Sequence, residues 1–584
     1  MKKKLIEVAI PLDAINAASA REKSIRHGHP STLHLWWSRK PLATARAVLF
    51  ASLVDDPSSH PEEFPTEEAQ DAERQRLFRL MEKLVVWENS GDKALFAEAY
   101  EEIKKSTDGN PPPVFDPFAG GGTIPLEAQR LGLKAIAADL NPVAVMINKA
   151  MIEIPAKFQD QPPVKPAAKS LIDVEWHGAE GLANDIAYYG KLLKEKAFAK
   201  VGHLYPKVQI PETGQEATVI AWKWARTVKC PNPACGCEMP LVNSFWLSKR
   251  AGKEAYLEPI VEGGKVRFEV RRGKGKVREG TVGRSGATCI SCGASVPLAY
   301  VRKEALSGHI GAQMMAIVAE AQNGRLYLEA NPEHIKIAMV SKPENVPIAA
   351  MPKKALGFTA QGYGMLRFSD LFTNRQITAL TIFSDIVSEI KEIILADGGT
   401  KEYGTAVSVY LAFVVDKLAD YHSIICSWHA SGEKLRDTFA RQAIPMVWDY
   451  AEANPFSNSS GCFDNMLEWV EKSVREMPAG IMGRVMQHNA SDKNDLQQVV
   501  VSTDPPYYDN IGYANLSDYF YIWMRKVLRG VESKLFSTLQ TPKQQELVAE
   551  PDRFEGSKAS AKSFFEQGLP LCNYGRYCCS YKSF

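Results

Sequence analysis

Apolar positions in "SRKPLATARAVLFASL" recur at helical spacing, with Leu42, Ala45, Leu49 and Leu53 on one face and Pro41 suited to the first helical residue. Residues 55–110 continue as a charged, helical pattern broken by the loop "DDPSSHPEEFP". At "PPPVFDPFAGGGT" the period changes. A short apolar strand, a glycine turn, a helix carrying Ile124, Leu126 and Ala128, and a second strand, "AIAAD", predict the opening of a doubly wound α/β unit. A long central region, about 150 to 490, holds a strand-rich, cysteine-bearing part at about 218–300. It also holds two long helical patterns, "NRQITALTIFSDIVSEIKEII" and "TAVSVYLAFVVDKLADYHSIICSW". The apolar run "QQVVVS" then leads into "TDPPYYDN". No internal repeat or extended low-complexity tract is present.

Composition narrows the class. The 584 residues, 45% hydrophobic and 24% charged, suit a folded protein of roughly three to four domains. A net charge of +2 argues against a uniformly basic coat and leaves any nucleic-acid surface to a local patch. Glu7 and Asp13 interrupt the apolar start, and Asp416 and Lys417 break the most apolar helix, so neither a signal peptide nor a membrane span is expected. The expectation is a cytoplasmic chain with no membrane partner, whose ten cysteines are mostly thiols or metal ligands.

Gly120, Gly121 and Gly122 let backbone approach a ligand closely, and the helix after them presents unpaired N–H groups. Asp139, ending the next strand, can accept hydrogen bonds from both hydroxyls of a ribose. The turn lacks the spacing of a GxGxxG phosphate loop, and no Walker lysine follows. A ligand with a ribose but no pyrophosphate fits better. S-adenosylmethionine is such a ligand, and Asp116 at the first strand tip can hold its ammonium group.

"TDPPYYDN" suits work on an exocyclic amine, a poor nucleophile because its lone pair is delocalised into the base. Two acceptors on its two hydrogens push the nitrogen toward sp³ geometry. Asp504 supplies one through its carboxylate, and the carbonyl of Pro505 the other. Pro505 and Pro506 stiffen the backbone and remove competing donors, and Tyr507 can stack on an extruded base.

The knuckles "CPNPAC" and "CISC" predict a structural zinc held by Cys230, Cys235, Cys289 and Cys292, with Cys237 an alternative to Cys235. Cys426 and Cys462 read as small buried residues. Between the knuckles, "KVRFEVRRGKGKVREGTVGR" reads as a basic hairpin on which Lys265, Arg267, Arg271, Arg272, Lys274 and Lys276 can track phosphates; a merely solvated hairpin is the alternative. Ile220, Trp222 and Trp224 fall on one strand face and are expected in the ribbon's own core. Core packing is the competing reading for Trp36 and Trp37.

"DPFAGGGT" with "TDPPYYDN" resembles the amino-group DNA methyltransferases. "HPSTLHLWWSRKPLATARAVL", "CPNPACGCEMPLVNSFWLSK", "LFTNRQITAL" and "DPPYYDNIGYANLSDYFYIWMRK" are similar to the large zinc-ribbon adenine-specific DNA methylases. These have an N-terminal domain of unknown function and often sit in anti-phage gene neighbourhoods. The resemblance runs from residue 5 to about 567. It implies a Rossmann-like, S-adenosylmethionine-dependent enzyme methylating adenine N6 in DNA, with restriction-modification or other defence proteins as partners. By resemblance, Asp116, Phe118, Gly120 and Gly122 form the cofactor loop and Asp139 the ribose carboxylate. Asp504, Pro505, Pro506 and Tyr507 form the catalytic tetrad, and Lys40 and Pro41 lie beside the methionine end of the cofactor.

The expected organisation is an N-terminal family domain (1–110) and a first methyltransferase half (111–155). An insertion (156–490) follows, with the ribbon at about 218–300 and helices at about 370–480; a second half (491–567) and an aberrant tail (568–584) complete it. The composition of "PLCNYGRYCCSYKSF" departs abruptly, and the expectation is that C-terminal strands of the family fold are missing, which puts activity in question. The competing functions are a guanine-N2 type RNA methyltransferase and a non-catalytic DNA-binding subunit.

Overall fold

The computed structural model describes residues 2–166, 174–322, 324–509 and 511–571. Four short parallel strands organise it: β1 (Val114–Asp116), β2 (Ala135–Asp139), β3 (Arg484–Gln487) and β4 (Val500–Val501). They lie in the order β3-β2-β1-β4, with Val114 opposite both Ala135 and Val500, and Arg484 opposite Ile136. This order places a topological switch point between β1 and β4, the position where open α/β sheets bind ligands. β3 falls inside the stretch assigned from sequence to the insertion, so the parallel sheet resumes before residue 490. Val485 and Met486 are half-buried and Arg484 and Gln487 exposed, so the strand shows no apolar run and pattern alone misses it.

The N-terminal segment is part of this layer. Helix α1 (Leu42–Leu53) packs on α2 (Thr123–Arg130), the helix that follows the glycine turn. The contact includes a buried ion triad in which Arg46 and Arg130 donate to Glu127 at 2.5 and 3.2 Å. Burial opposes the charge on Glu127, yet the two guanidiniums overcome it and hold the carboxyl below its usual range.

Between β2 and β3 the chain builds a helical layer and an antiparallel sheet. Helices α3 (Glu180–Val201), α4 (Asn374–Ala396), α5 (Lys401–Tyr421) and α6 (Phe463–Arg475) pack on one another, and α7 (Tyr513–Leu528), which follows β4, joins them. Thr373 and Thr400 cap α4 and α5, each accepting a backbone N–H. Most of α5 is buried, so its apolar composition belongs to the centre of this layer. Among the described residues no helix is long and apolar enough to cross a membrane.

The antiparallel sheet has Val219–Lys229 between Gly311–Ala321 and Asp449–Ala453. This strand is buried on both faces, which corrects the expectation for its tryptophans. Trp222 and Trp224 pack in the large helical core, while Ile220 belongs to the ribbon side. The Arg375 guanidinium lies 3.8 Å from the Trp222 ring centre and donates to Glu452 at 3.0 and 2.7 Å, and Trp224 Nε1 donates to the same carboxylate at 2.9 Å.

After α7, residues 541–557 run past the C-terminal ends of the parallel strands and lead into α8 (Lys558–Leu571). Among the described residues no strand follows β4. Most of the tail expected at 568–584 lies outside the described residues.

Candidate active site

The glycine turn and the "TDPPYYDN" loop leave the sheet from neighbouring strands and line one cleft. On the glycine side, Asp116 ends β1 fully buried. Its Oδ1 accepts the Phe118 N–H at 3.0 Å and the Thr503 hydroxyl at 2.6 Å. Burial outweighs these bonds and pushes the carboxyl up to about 7. Asp139 accepts the Gly120 N–H at 2.9 Å and the Asn141 N–H at 2.8 Å, one on each oxygen, and burial pushes it up to about 6. Each oxygen keeps a further lone pair for a ligand hydroxyl.

Gly120 has φ +47°, and a Cβ there would stand 2.6 Å from Trp36 Nε1. A Cβ on Gly121 would lie 3.2 Å from the Arg39 guanidinium. The glycines therefore admit side chains of the N-terminal segment as well as any ligand. Gly122 lies behind the cleft, where a Cβ would meet Asn148 Oδ1 at 2.9 Å. Trp36 is buried and stacks on Tyr513 at 5.5 Å, so it is both packed and cleft-lining.

On the other side, the two oxygens of Asp504 are engaged separately. Lys40 Nζ lies 2.9 Å from Oδ2, and the Tyr507 hydroxyl donates to Oδ1 at 2.6 Å. Lys40 also donates to the Tyr507 hydroxyl at 2.6 Å and lies 4.7 Å from that ring's centre. Lys40 thus directs its ammonium to Asp504, while its carbonyl accepts from Thr123 of α2 at 3.0 Å. Pro41 caps α1 and is not among the cleft-lining residues; Pro505 and Pro506 are. Tyr507 is 40% exposed. Tyr508 has φ +25°, its carbonyl accepts from Ala549 N–H at 2.8 Å, and its ring meets Phe565 of α8 edge-on at 5.4 Å.

Several lining residues carry no motif in the sequence. Asn489 and Ala490 follow β3 as Leu140 and Asn141 follow β2, and only the polar run after "VMQ" hints at them. Gln545, Glu546 and Leu547 close the opposite wall. Glu546 is half-buried, accepts the Ala514 N–H at 2.8 Å, and its charge adds to the upward push on Asp139.

Away from the cleft, the Sγ atoms of Cys230, Cys235, Cys289 and Cys292 all lie within 4.8 Å of one another, with Cys230–Cys292 and Cys235–Cys289 separations of 3.8 Å. Four sulfurs about 2.3 Å from a central zinc define a tetrahedron with edges of about 3.8 Å. The donor set therefore fits a structural zinc, with Cys235 in the group and Cys237 outside it. Cys426 and Cys462 are buried, as small apolar side chains are.

The basic hairpin, Ala255–Glu262 with Lys265–Arg272, is less available than its composition suggests. Arg267 pairs with Glu262 and Glu269, Arg271 with Glu258 and Glu269, and Arg272 with Glu212. Lys265, Lys274 and Lys276 are exposed.

Residues 9–80 match a family described as a protein of unknown function, DUF1156, and residues 91–175 match the D12 class N6 adenine-specific DNA methyltransferases. The chain matches no curated protein and no solved structure. The second match covers Asp116, the glycine turn and Asp139; the "TDPPYYDN" loop lies outside it and reaches the same cleft through the strand order. The first match covers Trp36, Arg39 and Lys40, so the segment of unknown function contributes directly to the cleft.

Proposed function

We propose that this chain is an S-adenosylmethionine-dependent DNA methyltransferase acting on the exocyclic amine of adenine. The observation that carries this reading is the junction of a D12-class segment with "TDPPYYDN" in one cleft at the β1/β4 switch point.

The glycine side fits the cofactor: Asp139 takes the ribose hydroxyls, Asp116 the ammonium, and the turn from Phe118 to Gly121 the adjoining backbone contacts. S-adenosylmethionine, when bound, supplies an electrophilic methyl group on a sulfonium. The chain's own task is to expose the target nitrogen's lone pair. Asp504 accepts one N–H of the amine and the Pro505 carbonyl the other. Because both Asp504 oxygens are engaged in the free protein, an entering base takes the place of the Tyr507 hydroxyl on Oδ1. Tyr507, exposed and free to rotate from that bond, then offers its ring for stacking. Lys40 stays on Oδ2 and keeps the carboxylate oriented.

Zinc in the cysteine cluster is structural in this account, bracketing the ribbon far in sequence from both site loops. Elemental analysis of protein purified without added metal is expected to give one zinc per chain; metal-free protein with four reactive thiols there contradicts it. The function is tested by incubating the protein with DNA and labelled S-adenosylmethionine and digesting to nucleosides. Label in N6-methyladenine is expected. Label in N4-methylcytosine, or in RNA alone, overturns the substrate assignment.

A further inference from the structure

The segment that carries Trp36, Ser38, Arg39 and Lys40 to the cleft has no regular secondary structure. Among the described residues, the backbone of residues 34–40 makes no hydrogen bond to other backbone, so side chains must fix its course. Gln442 donates to the Trp37 carbonyl at 3.0 Å and Thr123 to the Lys40 carbonyl at 3.0 Å, both bonds at least partly open to solvent. One tie is fully buried. His34 Nε2 lies 3.0 Å from Asp416 Oδ2 of α5, with the two side chains 1% and 0% exposed. It joins the segment of unknown function to the centre of the helical layer.

A neighbouring bond fixes where the hydrogens lie. His34 Nδ1 stands 2.9 Å from the Leu35 carbonyl, which can only accept, so Nδ1 carries a hydrogen. A neutral imidazole then has a bare lone pair at Nε2, and the hydrogen between the two partners belongs to Asp416. The alternative is an imidazolium facing a carboxylate, and the surroundings oppose it. Phe413 and Phe520 flank the ring at 5.2 and 4.7 Å, and Asp416 Oδ1 is buried with no donor, a poor place for charge. The charges felt at the imidazole are those of Lys417 and Arg39, which disfavour a second cation, and Lys417 is itself answered by Asp420 and Asp437. Burial pushes His34 down to about 3 and Asp416 well above its ordinary value. His60 with Asp55 shows the contrast: burial opposes the Asp55 charge there too, yet bonds from Lys4 and the partly exposed His60 hold that carboxyl below its usual range. We propose that Asp416 stays a carboxylic acid, donates its hydrogen to His34, and so positions the segment from which Lys40 orients Asp504. The catalytic consequence rests on the methyl-transfer reading; the pair itself does not.

The pair is tested by infrared difference spectroscopy of the full chain at neutral pH, wild type against Asp416→Asn. The carbonyl stretch of a protonated carboxylic acid is expected in wild type and missing from the variant; no difference there means an ionised Asp416 and overturns the inference. Single-turnover methylation with labelled S-adenosylmethionine reads the positioning. Asp416→Asn, whose amide N–H can take the place of the acid's hydrogen on Nε2, should stay within about threefold of wild type. His34→Phe combined with Asp416→Leu exchanges both partners for apolar side chains and leaves neither unsatisfied, so its thermal midpoint should stay near that of wild type. Its rate should fall by about tenfold to a hundredfold, the scale of a small misplacement at the reacting centre. That loss should vanish in a Lys40→Met background, because the pair acts through Lys40. A loss that persists undiminished beside Lys40→Met, or an apolar pair that does not fold, assigns His34 and Asp416 to the fold alone and overturns the positioning role. An apolar pair with the wild-type rate overturns it as well, and Asp416→Asn as slow as the apolar pair contradicts the donated hydrogen. A wild-type chain that transfers no methyl group refutes the methyl-transfer reading and the positioning role with it, while the infrared band still decides the state of Asp416.

Discussion

The two sides of the cleft are built on different principles. On the glycine side Asp116 is buried and Asp139 half-buried, and backbone N–H groups hold both: Phe118 on Asp116, beside the Thr503 hydroxyl, and Gly120 and Asn141 on Asp139. On the "TDPPYYDN" side Asp504 is held by two long side chains, Lys40 and Tyr507, both more than a third exposed. Backbone donors cannot move without unfolding the turn, whereas side-chain donors can rotate away. In the proposed methyl-transfer account, the contrast separates a preorganised pocket, suited to a cofactor of constant shape, from a self-occupied one that opens for each base.

The largest break in this comparison is chemical. Asp504→Ala is expected to lower the methylation rate by about a thousandfold, within the range for losing a positioned proton acceptor. Single-turnover kinetics with labelled cofactor measures it. A rate within tenfold of wild type removes Asp504 from the reaction.

Gly120→Ala tests the rigid side. The new Cβ would meet Trp36 Nε1 at 2.6 Å, and Trp36, stacked on Tyr513, has little room to yield. With φ at +47°, the substitution is expected to cost about 1–3 kcal/mol of stability and to weaken cofactor binding. Thermal melts with and without S-adenosylhomocysteine read both effects.

Proton coupling gives a finer distinction. Asp116 at about 7 and Asp139 at about 6 are both raised above the ordinary 3.8, first by burial. In the free protein the folded state therefore binds more protons than the unfolded one between about pH 4 and 7, and its stability declines as pH rises through that window. Binding of an ammonium has the opposite sign. It needs Asp116 ionised, so affinity is expected to fall by up to about tenfold per pH unit below pH 7 and to level off above it. Titrations from pH 6 to 8 test this, and Asp116→Asn should flatten the profile.

The smallest expected effect lies on the mobile side. Phe565 of α8 touches Tyr508, and a small separate cluster joins that helix to Phe118 of the glycine turn. Phe565→Ala should speed amide exchange at Ala549, whose N–H is bonded to the Tyr508 carbonyl, and reduce turnover several-fold. Cofactor affinity should change little. Unaltered exchange would show that α8 does not brace the catalytic loop.

The glycine turn, Asp139 and "TDPPYYDN" were legible because each concentrates unusual residue types over a few positions. Their meeting in one cleft was not, since it depends on β3 and β4, strands of four and two residues with little pattern of their own. The hairpin arginines looked free because Glu212 is distant in sequence, Glu258 and Glu262 face them across the hairpin, and Glu269 reaches them along their own strand. The tryptophans of "IAWKWART" were placed on the wrong side because a strand buried on both faces shows no alternation.

The division of the cleft is tested most directly by titrating S-adenosylhomocysteine into two variants side by side. Asp139→Ala is expected to lose about 1.5–3 kcal/mol of binding, the scale of a charged hydrogen-bonding partner, while Asp504→Ala stays within about twofold of wild type. Equal losses in the two variants would contradict the assignment of separate cofactor and base sides.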